Sequence, residues 1–367
     1  MKKVIFALAA VVALAACSQE DVIVADKGAA IGFDTFVENS TRSVYDPSYT
    51  NAKPFANFGV FGTVEGAELF NNKTVTGSGV GENASWTYTG TQYWIADAKY
   101  NFAAVAPQTV MVNDVKTDVY TNASYAVTSS EVEGEKVYTG TTTLSFVNNG
   151  KIDLLYAEAT AEGANKDNDV VEFNFRHVLS KVKFSFENKY NASNATIRVE
   201  NVEITDAYKT ADAELNATTN WSNKATAKDF VLEFGNAAIT AFDAEEPFAN
   251  GTTVESYNEL LMIPGAGATT MTINGVESKV YTITFDVVLL VSGKEIDTYE
   301  HTIYTTFAPV AGMRYNLKAV IDASNIDPEH AQEPIEFTVT NITDWTNGNT
   351  VDADDPKDGV NDHYPLK

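Results

Sequence analysis

Few side chains in this chain of 367 residues combine a reactive type with the spacing that chemistry needs. The one Cys, Cys17, closes no intrachain disulfide. One Cys and four His also leave little material for a structural zinc site. His177 shares a strand face with Phe173 and Phe175, the place of a core histidine. His301 lies in another strand, His330 and His363 lie in polar stretches, and no two of the four stand at metal-ligand spacing. Asp352, Asp354, Asp355, Asp358 and Asp362 invite a calcium reading. An EF-hand loop started at Asp354 puts Gly359 at its sixth place but Pro356 at its third and Pro365 at its twelfth, so a solvated acidic tail describes them better. There is no Gly-x-Ser-x-Gly elbow, no P-loop and no Gly-rich turn between a strand and a helix. Asp and Glu are so frequent that a carboxylate pair fit for glycoside hydrolysis would arise by chance, and nothing singles one out. The residues therefore name no catalytic group, no cofactor and no metal. Trp86, Tyr88, Tyr93 and Trp94 crowd into nine residues. On an exposed sheet Trp86 and Trp94 would stack on sugar rings. Trp86 and Tyr88 also share strand parity, which turns them toward a core.

The chemistry that is well placed sits at the start. Lys2 and Lys3 precede thirteen apolar residues, Val4 to Ala16, too few for a stable transmembrane anchor and typical of a secretory signal. The run closes on Leu14-Ala15-Ala16-Cys17, which is similar to the lipobox of bacterial lipoproteins. Small residues there let the peptide enter a narrow protease cleft, and Cys17 supplies the thiol that carries diacylglycerol. Two or three acyl chains anchor a protein stably. Ser18, rather than Asp, follows Cys17, which argues against inner-membrane retention. Gln19 to Asp21 resembles the export signals of surface lipoproteins in Bacteroidetes.

The elements that must position anything else are strands. Tyr281, Ile283, Phe285, Val287, Leu289 and Val291 alternate on one face, Ser292-Gly293-Lys294 turns, and Ile296 to Phe307 returns as a hairpin. Tyr315 to Ile321 and Ile335, Phe337 and Val339 give further strands. Phe55 to Val64, Ser85 to Tyr88, Gln92 to Ile95 and Tyr100 to Val105 are short candidates upstream. No three-turn amphipathic helix is evident, and short strands between turn residues predict an all-β chain of β-sandwiches. The segment Ala157 to Asp169 lacks apolar period and predicts either a domain boundary between Tyr156 and Val170 or a long hairpin loop. Val171, Phe173, Phe175, His177 and Leu179 share one face, then the parity flips to Val182, Phe184 and Phe186, as at a bulge or a crossing between two cores. Composition sets the outer limits. Hydrophobic residues are 44% of the chain, enough for a real core. Fifty acidic against 25 basic residues, a net charge of −25, argue against nucleic acid and an anionic membrane surface as partners.

In order along the chain stand Cys17; Ile31-Gly32-Phe33-Asp34-Thr35-Phe36-Val37, ending in Thr41-Arg42-Ser43; Phe58-Gly59-Val60-Phe61-Gly62; Trp86-Thr87-Tyr88 and Tyr93-Trp94; Tyr100 to Pro107; Phe175 to Val182; and Thr343-Asp344-Trp345. This ordered set resembles the fimbrillin family of Bacteroidetes, the shell and accessory subunits of type V pili. The resemblance implies two tandem transthyretin-like β-sandwich domains and a subunit that travels to the outer membrane as a surface-exposed lipoprotein. It implies a signal peptide over 1–16, a lipidated propeptide with the first strand over 17–42, sandwiches over 43–170 and 171–345, and an acidic tail over 346–367. It further implies that a trypsin-like protease cuts between Arg42 and Ser43. The strand carrying Ile31, Phe33 and Val37 then leaves, and another subunit inserts a strand. The physics is β-augmentation: a vacated groove offers unpaired backbone groups and an apolar trench that a donated strand repairs. Arg42 is the one Arg before Arg176, in a polar stretch a protease can reach. As a solvated loop residue it would leave the first strand in place, as in the family's uncut members, which serve as anchors.

The chain departs from this pattern at its end. Thr346 to Lys367 offers only Val351, Val360, Tyr364 and Leu366 of any bulk, a poor donor. Either Ile335 to Trp345 donates, or the subunit receives a strand and gives none. The implied partners are other fimbrial subunits, the outer membrane through the lipid, and a host surface or glycans. A non-polymerising surface lipoprotein that binds glycans through Trp86 and Trp94 is the rival expectation.

Overall fold

The computed structural model describes residues 29–37, 55–78, 85–112, 114–162, 170–238, 247–256, 258–326, 335, 337–344 and 350–351. Among these residues the chain is nearly all strand, and its one helix, Ala323–Ile326, spans four residues. The first half runs β1 (Gly32–Val37), β2 (Asn57–Val64), β3 (Ala67–Ser78), β4 (Ser85–Thr87), β5 (Lys99–Ala106), β6 (Thr109–Val112), β7 (Val115–Asp118), β8 (Tyr120–Val132), β9 (Glu135–Val147), β10 (Leu155–Glu162) and β11 (Val170–His177). The second runs β12 (Ser180–Asn188), β13 (Ala195–Ile204), β14 (Tyr208–Leu215), β15 (Thr219–Thr226), β16 (Leu232–Ala238), β17 (Phe248–Ala249), β18 (Thr253–Ser256), β19 (Leu260–Met262), β20 (Thr269–Ile273), β21 (Val276–Val291), β22 (Lys294–Thr305), β23 (Met313–Ile321), β24 (Phe337–Asp344) and β25 (Thr350–Val351).

A seven-stranded sheet in the order β1-β11-β10-β5-β2-β3-β4 organises the first half. Its middle strands β2 and β5 are apolar on both faces because both faces are covered. Phe58, Val60, Phe102 and Ala104 point into one core with Phe33, Phe173 and Phe175. Phe61, Ala103 and Val105 point the other way, into a second core under the four-stranded sheet β15-β14-β9-β8. A larger sheet, with β12, β13, β21 and β23 at its centre, encloses the third core, built on Phe184, Phe186, Phe234 and Phe285. The hairpin read at Ser292-Gly293 is β21–β22, and both turn residues take left-handed φ, 51° and 75°. The candidate strand at Gln92 to Ile95 makes only an isolated bridge, Tyr93 to Ala30.

Two expected boundaries shift. Val171 to His177 does not open the second sandwich; β11 pairs with β1 and β10 in the first sheet. The side chains of Val171, Phe173 and Phe175 enter the first core, those of Val182, Phe184 and Phe186 the third, and the chain crosses at Val178-Leu179. The parity flip marks the crossing because a one-residue slip reverses which face is buried. Nor does all of 171–345 build the second sandwich. The hairpin β14–β15 returns to the first half, where β14 pairs with β9 from Thr210 opposite Val147 to Leu215 opposite Thr142. It does so because Ala211, Ala213 and Leu215 present small apolar groups at alternate positions to Leu144 and Phe146.

Arg176 fastens that hairpin. Its guanidinium donates to the Asn216 and Thr218 carbonyls at 2.6 and 3.0 Å and to the Thr219 hydroxyl at 2.6 Å, over the Tyr156 ring. Burial pulls its pKa below the ordinary value, yet a guanidinium remains charged.

One carboxylate in the larger sheet is held against its preference. A bulge in β13 at Val199 to Glu203 sets Glu203 directly across from Glu233. Burial first, then Glu233 and Asp286, raise the Glu203 pKa. A raised carboxyl pKa costs the folded state nothing where the group is protonated in both states. The cost grows as pH rises through the carboxylate range to the raised value and stays above it. Glu203→Gln is therefore expected to stabilise the fold by about 0.5 kcal/mol at pH 7 after solvent screening, with the gain vanishing near pH 4. Urea midpoints of both proteins at the two pH values check this.

Candidate functional site

The described residues hold no group of three or more His, Cys, Asp or Glu able to bind a metal. His177 is buried, with Nδ1 2.5 Å from Asp153 Oδ2 beside the crossing at Val178. His301 is buried against the Phe285 ring, and that burial lowers its pKa. Cys17, Arg42, Ser43 and Trp345, with the acidic tail from Asp352 on, lie outside the described residues.

The aromatic group of the first half belongs to the core. Trp86 packs on Phe55 and Phe58 at 5.5 and 5.0 Å, and Trp94 packs edge-on against Tyr100 at 4.7 Å. Tyr93 is the outward member of the group, 39% exposed. The structure does not gather Trp86 and Trp94 into a shared outward platform.

The place where side chains and backbone together make a bindable feature is the seat of β1. The strand runs parallel to β11, from Gly32 opposite Val170 to Val37 opposite Phe175. Its other flank meets the loop after β4. The Ile31 N–H donates to the Gln92 carbonyl at 2.9 Å, the Trp94 N–H donates to the Ala29 carbonyl at 3.0 Å, and the Tyr88 hydroxyl donates to the Ile31 carbonyl at 2.8 Å. Burial raises the Tyr88 phenol pKa, so it serves as a donor. Residues 29–31 therefore bond to the Gln92–Trp94 segment and β1 itself, at the edge of the sheet, bonds to β11; together these line the slot that the segment 29–37 fills.

The floor of that slot is aromatic. Alternation puts Ile31, Phe33 and Thr35 inward, all nearly fully buried, and Asp34 outward. The Phe33 ring touches five others: Tyr88 at 5.4 Å, Phe70 at 5.6, Phe173 at 5.8, Phe102 at 6.2 and Phe58 at 6.3. Three stand edge-on at 68°, 81° and 84°, geometries that favour aromatic pairs. The seat thus needs Phe33 as a plug. Sequence reasoning placed Ile31 and Phe33 in one strand but passed over Thr35, whose shared parity was the signal, and the Tyr88 hydroxyl, which carried none. It assigned Val37 to the strand; Val37 pairs with Phe175 there.

The segment Ile335 to Trp345 contributes β24, antiparallel to β23. Phe337 is fully buried against Phe184 at 5.3 Å, Phe285 at 5.8 and Phe186 at 6.0. Its inward residues complete the chain's own third core.

Solved structures with similar folds include a candidate cell adhesion protein from Bacteroides uniformis, 16% identical, covering 86% of this chain and 98% of that one at TM-score 0.41. The fimbrial anchor protein Mfa2 from Porphyromonas gingivalis is 11% identical, over 86% and 98%, at 0.34. A fimbrial assembly protein from Parabacteroides distasonis is 11% identical, over the same shares, at 0.35. No curated protein gives a significant match. The fimbrillin-like family model matches residues 41–345, which is most of the sequence, and the chain belongs to that family.

Proposed function

We propose that this protein is a structural and adhesive subunit of a type V fimbria, exported to the outer membrane as a lipoprotein on Cys17. It is matured by cleavage between Arg42 and Ser43 and assembled by exchange of β1 for a neighbour's strand. One observation carries the reading: β1 plugs an aromatic slot, and the chain leads directly from it through Arg42 to the body of the first sandwich.

The other arginines support the choice of Arg42. The sequence has four, and the remaining three are bound within strands. Arg176 holds the β14–β15 turn, Arg198 is bridged to Glu200 and Glu295, and Arg314 is bridged to Glu259. A protease must draw a stretch of backbone into its cleft, and paired strands do not yield one without unfolding. An Arg-specific protease acting on the folded protein thus finds these three withheld, and Arg42, in a polar stretch of the sequence, is the substrate this reading assigns. Before the cut, β1 is tethered and competes with any incoming strand at an effective concentration on the order of millimolar. Afterwards it is held by its contacts alone.

Incubation of the folded lipoprotein with an Arg-specific trypsin-like protease tests the maturation step. A single early product with Ser43 at its N-terminus is expected, and the same N-terminus on material sheared from cells. Survival of the Arg42–Ser43 bond while other segments are cut would remove the maturation claim. Trimmed protein that stays monomeric with β1 still in place would remove the assembly claim.

A further inference from the structure

The resident strand contains a flaw at the position where a plug should fit best. Thr35 is 7% exposed, and its hydroxyl is buried with no hydrogen-bond partner among the described residues. A buried hydroxyl without a partner loses its water and gains nothing in return. Its neighbours on the same face, Ile31 and Phe33, are apolar and well packed. Val has the shape of Thr without the hydroxyl, so the slot as built suits a strand with Val at this place better than the strand it holds.

We propose that β1 is a deliberately weakened placeholder. The strand the slot is built to receive is one from a neighbouring subunit with an aliphatic residue, an aromatic residue and Val or Ile at alternate positions. This rests on the strand-exchange reading above and adds its direction. Phe33 sets which strands enter, because five rings surround that position and a small side chain such as Ala leaves it empty. Thr35 sets which way exchange runs, because an incoming Val satisfies the pocket that the resident hydroxyl does not. The covalent tether keeps the weaker strand seated until the cut, and the pocket then favours its replacement.

The test uses the full chain cut after Arg42 and synthetic peptides covering residues 29–37, each at the same concentration. The peptides are the native sequence, Thr35→Val, and Phe33→Ala. Native mass spectrometry reads which peptide replaces the resident strand. Relative to the native peptide, Thr35→Val is expected to be captured roughly tenfold more tightly. Phe33→Ala is expected to be at least on the order of 100-fold weaker. Capture of the native peptide with Thr35→Val no tighter overturns the placeholder claim and leaves strand exchange standing. Capture of no peptide, the native one included, overturns both. A second measurement does not depend on exchange: Thr35→Val in the uncut chain is expected to raise the denaturation midpoint, and a lowered midpoint overturns the claim as well.

Discussion

Phe33→Ala is expected to destabilise the first sandwich by about 3–5 kcal/mol, the cost of emptying a fully buried aromatic site. The size follows from the surroundings. Phe33 is 5% exposed, and the five rings around it belong to five different segments of the first half. These rings cannot all close on the void, since Phe58 and Phe102 sit on the central strands of the sheet and Phe173 also packs on Phe58. Phe33→Leu refills most of the space and should cost about 1.5 kcal/mol or less. Hydrogen exchange of β11, which loses its partner when β1 leaves, reads the effect locally, and urea denaturation reads it globally. In Phe33→Ala protein cut after Arg42, β1 should dissociate without any competing strand. A loss below about 1 kcal/mol would mean that the slot collapses when its plug is removed, and the groove would then not persist as a receptor for another strand.

How much of this was legible in the sequence depends on which interactions decide each feature. Period two marks β21, β23 and the strand of Ile31 and Phe33, because along most of each one face is buried and the other is half-buried or exposed, until Val287 to Leu290 of β21 are buried on both. The same rule turns Trp86 and Tyr88 toward a core, and both pack against one. The crossing between cores shows as a parity flip after Ser180, although the segment before it was given to the wrong sandwich: period two says which residues share a face and not which sheet the face belongs to. The return of β14–β15 to the first half was not legible. Its strand β15, Thr219–Thr226, is polar apart from Trp221 and Ala225, and the contacts that fasten it run from one Arg to backbone carbonyls of a turn, groups that every sequence contains. Thr35 looks ordinary in sequence because Thr is at home in strands. Its unpaired hydroxyl appears only when the neighbours are in place.

Arg176→Met is expected to cost about 2–4 kcal/mol and to release the β14–β15 hairpin from the first half. Met replaces much of the stem's apolar contact and removes the three donors, so the loss isolates the polar role. The carbonyls of Asn216 and Thr218 are then left facing a half-buried gap, and the Thr219 hydroxyl loses its donor. Arg176→Lys restores a charge without the fork and should recover only part of the loss, because one ammonium cannot reach three acceptors spread across a turn. The reporter is Trp221, which packs at 5.9 Å on Phe146 of β9 and whose indole N–H donates to the Val178 carbonyl at 3.0 Å. Detachment of the hairpin exposes it, so its emission should shift to the red in Arg176→Met, with faster hydrogen exchange across β14 and β15. The β14–β9 pairing ties the hairpin to the first half, beside the direct chain crossing at Val178-Leu179. If emission and exchange match the unmodified protein, the guanidinium bonds do not hold the hairpin, and the β9–β14 ladder with the Trp221 contacts holds it without them.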